Sequence, residues 1–196
     1  MTDTTNRSRR SERSRQAILA ATRELISEVG YAKVSIEAIA ARAGVGKQTI
    51  YRWWPSKGAV IFDSFLALSE GSDTDIALPD TGDLRADLTL VMRATVAEFA
   101  DPDFDKPIRA LNTEIINDPD LAEQYREKLA DPVEEAKKAR LRSAQRAGQL
   151  AADADLDLVL EVLYAPLFQR WMHRSGPLTP EYADALVDTT LRAFAP

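Results

Sequence analysis

Apolar residues recur at three- and four-residue intervals along almost the whole chain, and no two-residue alternation is long enough for a strand. This pattern restricts the chain to an all-α fold of about nine helices, punctuated by glycine, proline and capping side chains. Ile18, Leu25, Ile26 and Val29 mark the first helix, closed by Gly30. Ser35 caps a second helix carrying Ile36, Ile39, Ala40 and Ala43, which Gly44 ends. A short third runs from about Lys47 to Trp54 and stops at Pro55. Ser56 caps a fourth, with Val60, Ile61, Phe65 and Leu68 on its apolar face. Beyond residue 83, one stripe is Leu84, Leu88, Val91, Met92, Thr95 and Phe99. Pro107 is expected to open a shorter helix. Asp118-Pro119 opens a long one with a kink or break at Pro132. A helix from about Asp155 to Arg174 bends at Pro166, and the last starts at Thr179-Pro180.

Residues 1–12 are polar, rich in arginine and serine, and predicted as a disordered basic arm. Residues 13–57 form one helical domain, and the helix from Ser56 to about Leu68 connects it onward. The Ser/Gly/Asp/Pro-rich stretch 69–83 is a linker, and 84–196 is a second domain. No apolar run approaches the roughly 18 residues of a membrane span, and the N-terminus lacks the apolar core of a secretory signal.

The chain has no cysteine and one histidine, His173. No disulfide framework, thiolate nucleophile or histidine-rich metal site can be built, and no cofactor or metal is expected. The cytoplasm is the default compartment. Net charge is −6, but residues 1–60 hold 11 Lys/Arg against 5 Asp/Glu, while the rest holds 14 against 26. A basic head can meet an anionic polymer that the acidic remainder would repel.

The second and third helices, joined at Gly44, have the form of a helix-turn-helix. Ile39, Ala40, Val45 and Ile50 can pack them together. The third helix then presents Lys47, Gln48 and Thr49 at its start, where base edges are reached. Lysine can donate to guanine, glutamine can pair with adenine, and threonine can touch a thymine methyl or a phosphate. Tyr51 and Arg52 suit phosphates, as do Ser56 and Lys57 at the next helix start. The same Lys47-Gln48-Thr49 run can equally be read as a solvated helix face. Arg7, Arg9, Arg10, Arg13 and Arg15 can enter a minor groove, or simply solubilise the arm.

The run VSIEAIAARAGVGKQTIYRWWPSKGAVIFDSF, residues 34–65, resembles the DNA-binding region of the TetR family of bacterial regulators. The resemblance rests on Ile39-Ala40, Gly44-Val45, Thr49-x-Tyr51 and Ser56-Lys57 in that order, over about residues 14–66. It implies phosphate contacts for Tyr51 and Lys57 and base contacts for Lys47, Gln48 and Thr49. Ser35, Arg52 and Trp53 join the expected DNA-binding set, and Trp54 fills a core slot. The stretches DTGDLRADL, Arg146-x-Gly148-Gln149-Leu150 and Leu163-Tyr164-Ala165-Pro166-Leu167 are similar to one group of the family's ligand-binding domains.

The resemblance further implies a homodimer held by the last two helices, a small-molecule effector and a double-stranded operator. Pocket candidates are Met92, Val96, Phe99, Leu111, Ile115, Phe168 and Trp171, an apolar set that also reads as plain core. Interface candidates are Leu160, Leu163, Leu167, Tyr182, Leu186 and Phe194. Asp101, Asp103, Asp105, Glu114, Asp118 and Asp120 can attract a cationic ligand, or serve as loop and cap carboxylates. The expectation is a dimeric repressor released by its effector. An effector-independent regulator and an all-helical enzyme are the alternatives, the enzyme without support from a glycine-rich phosphate loop or from cysteine and histidine content.

Overall fold

The computed structural model of the chain describes residues 2–69 and 78–196. The described residues are helical with no strand. The helices are α1 (Thr2–Val29), α2 (Ile36–Ala43), α3 (Lys47–Tyr51), α4 (Lys57–Ser69), α5 (Leu84–Ala100), α6 (Pro102–Asn117), α7 (Pro119–Tyr125), α8 (Asp131–Arg146), α9 (Leu156–His173) and α10 (Pro180–Ala193). A π-turn over Arg126–Ala130 joins α7 to α8 without interruption, so nine rods are described. None of the described helices is long and apolar enough to cross a membrane.

Local chemistry places most helix ends. Side chains of Ser35, Asp83, Asp118, Asp155 and Thr179 accept backbone N–H groups at the starts of α2, α5, α7, α9 and α10. Gly44, at φ +66°, ends α2 in the left-handed region that a side chain would resist.

Three expectations need correction. Helix α1 begins at Thr2, so it covers most of the arm expected to be disordered. No glycine or proline lies between Thr2 and Val29, and a helix anchored by its buried stretch propagates outward when nothing stops it. Pro107 does not open a helix but lies inside α6, which starts at Pro102. Of the kink or break expected at Pro132, the break does not occur: a π-turn immediately precedes it and leaves Pro132 in the first turn of α8, where its missing N–H costs least. Helix α9 contains Pro166 within its span.

The chain divides into two compact units, Met1–Thr74 with Lys106–Glu127, and Asp75–Asp105 with Lys128–Pro196. This division differs from the contiguous 84–196 domain expected from sequence. Segment 106–127 goes with the first unit because its apolar side chains are buried there. Leu121 is 1% exposed, and its Cδ2 lies 2.6 Å from where a Cβ at Gly58 would be. Phe62 and Tyr125 pack with ring centroids 5.7 Å apart. Leu111 is buried, and Ala110 packs on the cluster that contains Ile18, Leu19, Ile39 and Ile50.

The second unit packs α5, α8, α9 and α10 around Leu88, Met92, Leu141, Val159, Leu163 and Val187. Arg85 pairs with Asp188, and Arg93 with Asp184, along the outer edge of α5 and α10. Its interior also holds an ion pair. Arg140 and Asp87 are each 2% exposed in their side chains and meet at 2.7 Å. The Arg140 Nε–H also donates to the Pro79 carbonyl at 3.1 Å, and Asp87 accepts from the Thr81 hydroxyl at 2.7 Å. These bonds pin residues 79–81, so the end of the expected linker 69–83 is anchored; residues 70–77 lie outside the described residues.

Burial alone would raise the Asp87 carboxyl. The Thr81 hydroxyl and N–H and the Arg140 guanidinium outweigh it and hold the group below its ordinary range. A depressed carboxyl contributes stability above its unfolded pKa and loses it as pH falls through the folded value. Asp87→Asn leaves the buried guanidinium with only the more exposed Asp80, 3.3 Å from its Nε, as a carboxylate partner, and should cost up to about 3–5 kcal/mol at neutral pH. In urea titrations, the gap between wild type and variant should begin to narrow as pH falls below about 4, where the unfolded chain's Asp87 takes its proton, and close only below the depressed folded value. A gap independent of pH would contradict this account of the pair.

Candidate nucleic-acid interface

The first unit presents one edge rich in donors and cations, and the cause is the alternation of buried and exposed positions around α3. Ile50 is 0% exposed, and Trp54, just beyond the helix, is 2% exposed. Both belong to the cluster that includes Ile36, Ile39 and Ala40, with Val45 packed against it. With that side buried, Lys47, Gln48, Tyr51, Arg52 and Trp53 fall on the exposed side, and Thr49 is half-buried. Tyr51 keeps 53% and Trp53 40% of its surface, high for large aromatics, although the Trp53 ring has one neighbour in Trp54, with centroids 6.3 Å apart.

Short as it is, α3 is tied at both ends. The Thr49 N–H donates to the Gly46 carbonyl at 2.8 Å, and the Trp53 and Trp54 N–H groups both donate to Ile50 at 2.9 Å. Trp54 fills the core as expected, and its indole N–H donates to Asp63 of α4 at 2.8 Å. That bond locks the end of α3 to α4.

Ser35 is half-buried, and its hydroxyl oxygen accepts the Ala38 N–H at 3.2 Å. Its position at the head of α2 is therefore a structural one first. The Ser56 hydroxyl does the same for Ala59 at the start of α4. Lys57 is half-buried, with its ammonium 4.7 Å from the centre of the Tyr31 ring. A cation at a helix N-terminus opposes the helix dipole, and the ring face offsets that repulsion. Tyr31 itself is 7% exposed, and burial, with Glu114 and Asp118 nearby, raises its hydroxyl above the ordinary range.

Sequence reasoning missed two neighbours. Tyr31, beneath Lys57, carries no periodic signal. Glu37 of α2 holds the Lys47 ammonium at 2.9 Å, an ion pair between residues ten apart and on different helices. The pairing lowers the Glu37 carboxyl and raises the Lys47 ammonium relative to their ordinary values. Arg42, on the same helix as Glu37, is taken up by Glu28 at 2.8 Å and Glu24 at 3.2 Å of α1. Among the described residues, no carboxylate pairs with Arg52 or Lys57.

The other candidate sets are divided or displaced. Of the pocket candidates, Leu111 and Ile115 belong to the first unit, whereas Met92, Val96, Phe99, Phe168 and Trp171 belong to the second. Phe99 and Trp171 stack at 4.5 Å, and the Trp171 indole N–H donates to Asp105 at 2.7 Å. Phe168 is 40% exposed, so it lies at the surface rather than in an interior lining. The interface candidates Leu160, Leu163 and Leu167 are 7%, 0% and 1% exposed within the single chain. They leave almost no apolar surface for a partner, because they form the unit's own core. Tyr182, Leu186 and Phe194 are half-buried against the same cluster. Asp118 and Asp105 are occupied as cap and indole acceptor, and the side chain of Asp103 lies outside the described residues.

Comparison with known proteins agrees with this geometry. Residues 18–63 match the model of bacterial regulatory proteins of the tetR family, and residues 78–190 match the tetracyclin repressor-like C-terminal domain. The chain is 34% identical to the uncharacterized HTH-type transcriptional regulator YdeS of Bacillus subtilis, covering 91% of this chain and 88% of that one. It is 33% identical to the DNA-binding transcriptional repressor TetR of Mycobacteroides abscessus, covering 93% of this chain and 94% of that one. The solved TetR family transcription regulator SCO0332 aligns at a TM-score of 0.74 and 33% identity, over 93% of this chain and 99% of that one. The relatives are transcriptional regulators rather than enzymes. An exposed helix with a buried back, on a head whose pattern and fold match throughout, leads to one assignment: the chain belongs to the TetR family of DNA-binding transcriptional regulators.

Proposed function

We propose that the protein is a homodimeric repressor that binds a pseudo-palindromic operator and is released by a small-molecule effector. The observation that carries the reading is the exposure of Lys47, Gln48, Tyr51 and Arg52 on a helix whose Ile50 is fully buried. In the complex, Lys47, Gln48 and Thr49 meet base edges in the major groove. Tyr51, Arg52, Trp53, Lys57 and the N-terminal edge of α2 at Ser35 meet the backbone. Two such heads contact successive major grooves about 34–36 Å apart. With about 8 to 10 phosphates neutralised per dimer, the log–log salt slope is near −7 to −9. Such a reader of chromosomal DNA works in the cytoplasm.

Repression is supported by the similar Mycobacteroides abscessus protein, a DNA-binding transcriptional repressor. The dimer surface is assigned to the outer face of α9, where Leu158 and Phe168 are 47% and 40% exposed. Those positions replace Leu160, Leu163 and Leu167 as partner contacts. The effector belongs to the second unit, near the stacked Phe99 and Trp171. It must bind one helix arrangement better than the other, since equal affinity shifts nothing. Within the first unit, Leu121 of α7 sits against Gly58 at the start of α4. Movement of the 106–127 segment therefore reaches the helix that carries Lys57.

Lys57→Ala should weaken binding to all duplexes alike and flatten the salt slope by about 2 per dimer, whereas Lys47→Ala should change which duplexes a random pool yields. Identical behaviour of the two variants on every duplex would defeat the division of roles. Phe168→Glu and Leu158→Glu should each give monomers by sedimentation and much weaker operator binding. A dimer surviving both changes would place the interface elsewhere.

A further inference from the structure

The Lys47–Glu37 ion pair puts a carboxylate at the edge of the head that meets polyanionic DNA. Glu37 and Lys47 keep 67% and 56% of their side-chain surface, so neither charge is buried to stabilise the fold. An exposed pair of this kind contributes little to stability. Arg52 and Lys57, the other cations of this segment, carry no such carboxylate partner among the described residues. The one cation at the base-reading end is the one that is held. A carboxylate facing phosphates weakens binding to any DNA, so its effect must be sought in discrimination, where repulsion of wrong partners is a recognised device.

We propose that Glu37 is a specificity-determining residue that keeps Lys47 from phosphates and yields it only to a matching base. The inference rests on the reading of Lys47 as a base contact. On unmatched DNA, Lys47 stays on Glu37 and releases no counterion. On the operator, two good hydrogen bonds to a guanine edge outcompete a solvated ion pair. Removing the carboxylate frees the ammonium for any phosphate, and the gain falls mainly on unmatched duplexes.

The test measures wild type, Glu37→Gln, Lys47→Ala and the double variant against two duplexes. One is the tightest duplex that the wild-type protein selects from a random pool; the other has the same composition, shuffled. Glu37→Gln should bind the shuffled duplex about eightfold tighter per protomer at 0.1 M salt, with a slope steeper by about 0.9 per protomer. Its gain on the selected duplex should be smaller, so the ratio between the two falls. Lys47→Ala bares the Glu37 carboxylate and should weaken shuffled-duplex binding in the wild-type background, and it should abolish the gain in the Glu37→Gln background. Melting curves confirm folding, and Glu37→Ala repeats the test should the glutamine variant melt early. Equal tightening on both duplexes, no change, or a shifted base preference would each overturn the role given to Glu37. A Lys47→Ala protein that prefers the selected duplex as strongly as the wild type does would instead overturn the base-contact reading of Lys47 itself.

Discussion

A helix of five residues does not persist alone in water, because nucleation costs more than so few hydrogen bonds return. Helix α3 exists because Ile50 is buried with Ile39, Ala40 and Trp54 in one cluster, and because the Trp54 indole is bonded to Asp63. Everything functional on the head follows from that burial. Once Ile50 faces inward, helical geometry leaves Lys47, Gln48 and Tyr51 outward, with no further information required. The same packing makes the reading edge rigid, which contact with base edges at hydrogen-bond range demands.

Charge is distributed to the same end. The basic head holds its acids mostly where they serve the scaffold. Glu24 and Glu28 join α1 to α2 through Arg42, and Asp63 receives the Trp54 N–H. Glu37 is the exception, since it occupies a cation at the reading edge. In the second unit, charge works inwardly: the Arg140–Asp87 pair, bonded to Thr81 and Pro79, pins the chain just ahead of α5. A buried pair of this sort is a costly way to gain stability but a selective way to fix one arrangement.

Much of this was legible in local sequence chemistry. Caps at Ser35, Ser56, Asp118 and Thr179 were readable because capping involves residues within one turn. The helix-turn-helix was readable because its apolar spacing and Gly44 leave few alternatives. What could not be read depends on pairs distant in sequence. Helix α9 bears apolar residues on two faces, and periodicity cannot say which is covered within the chain; Leu163 proved interior and Phe168 exterior. Segment 106–127 joins the first unit through Leu121 and Gly58, residues 63 apart. Glu37 and Lys47 meet only because the Gly44 turn folds α3 back toward the start of α2.

The central claim is that the residues following Gly46 read base edges in the major groove. Dimethyl sulfate interference on the selected duplex probes guanine N7 in that groove directly. The account predicts interference at guanines in both half-sites, about one helical turn apart, with Lys47→Ala losing the effect at one guanine per half-site. Interference confined to adenine N3 in the minor groove, or absent altogether, would contradict it.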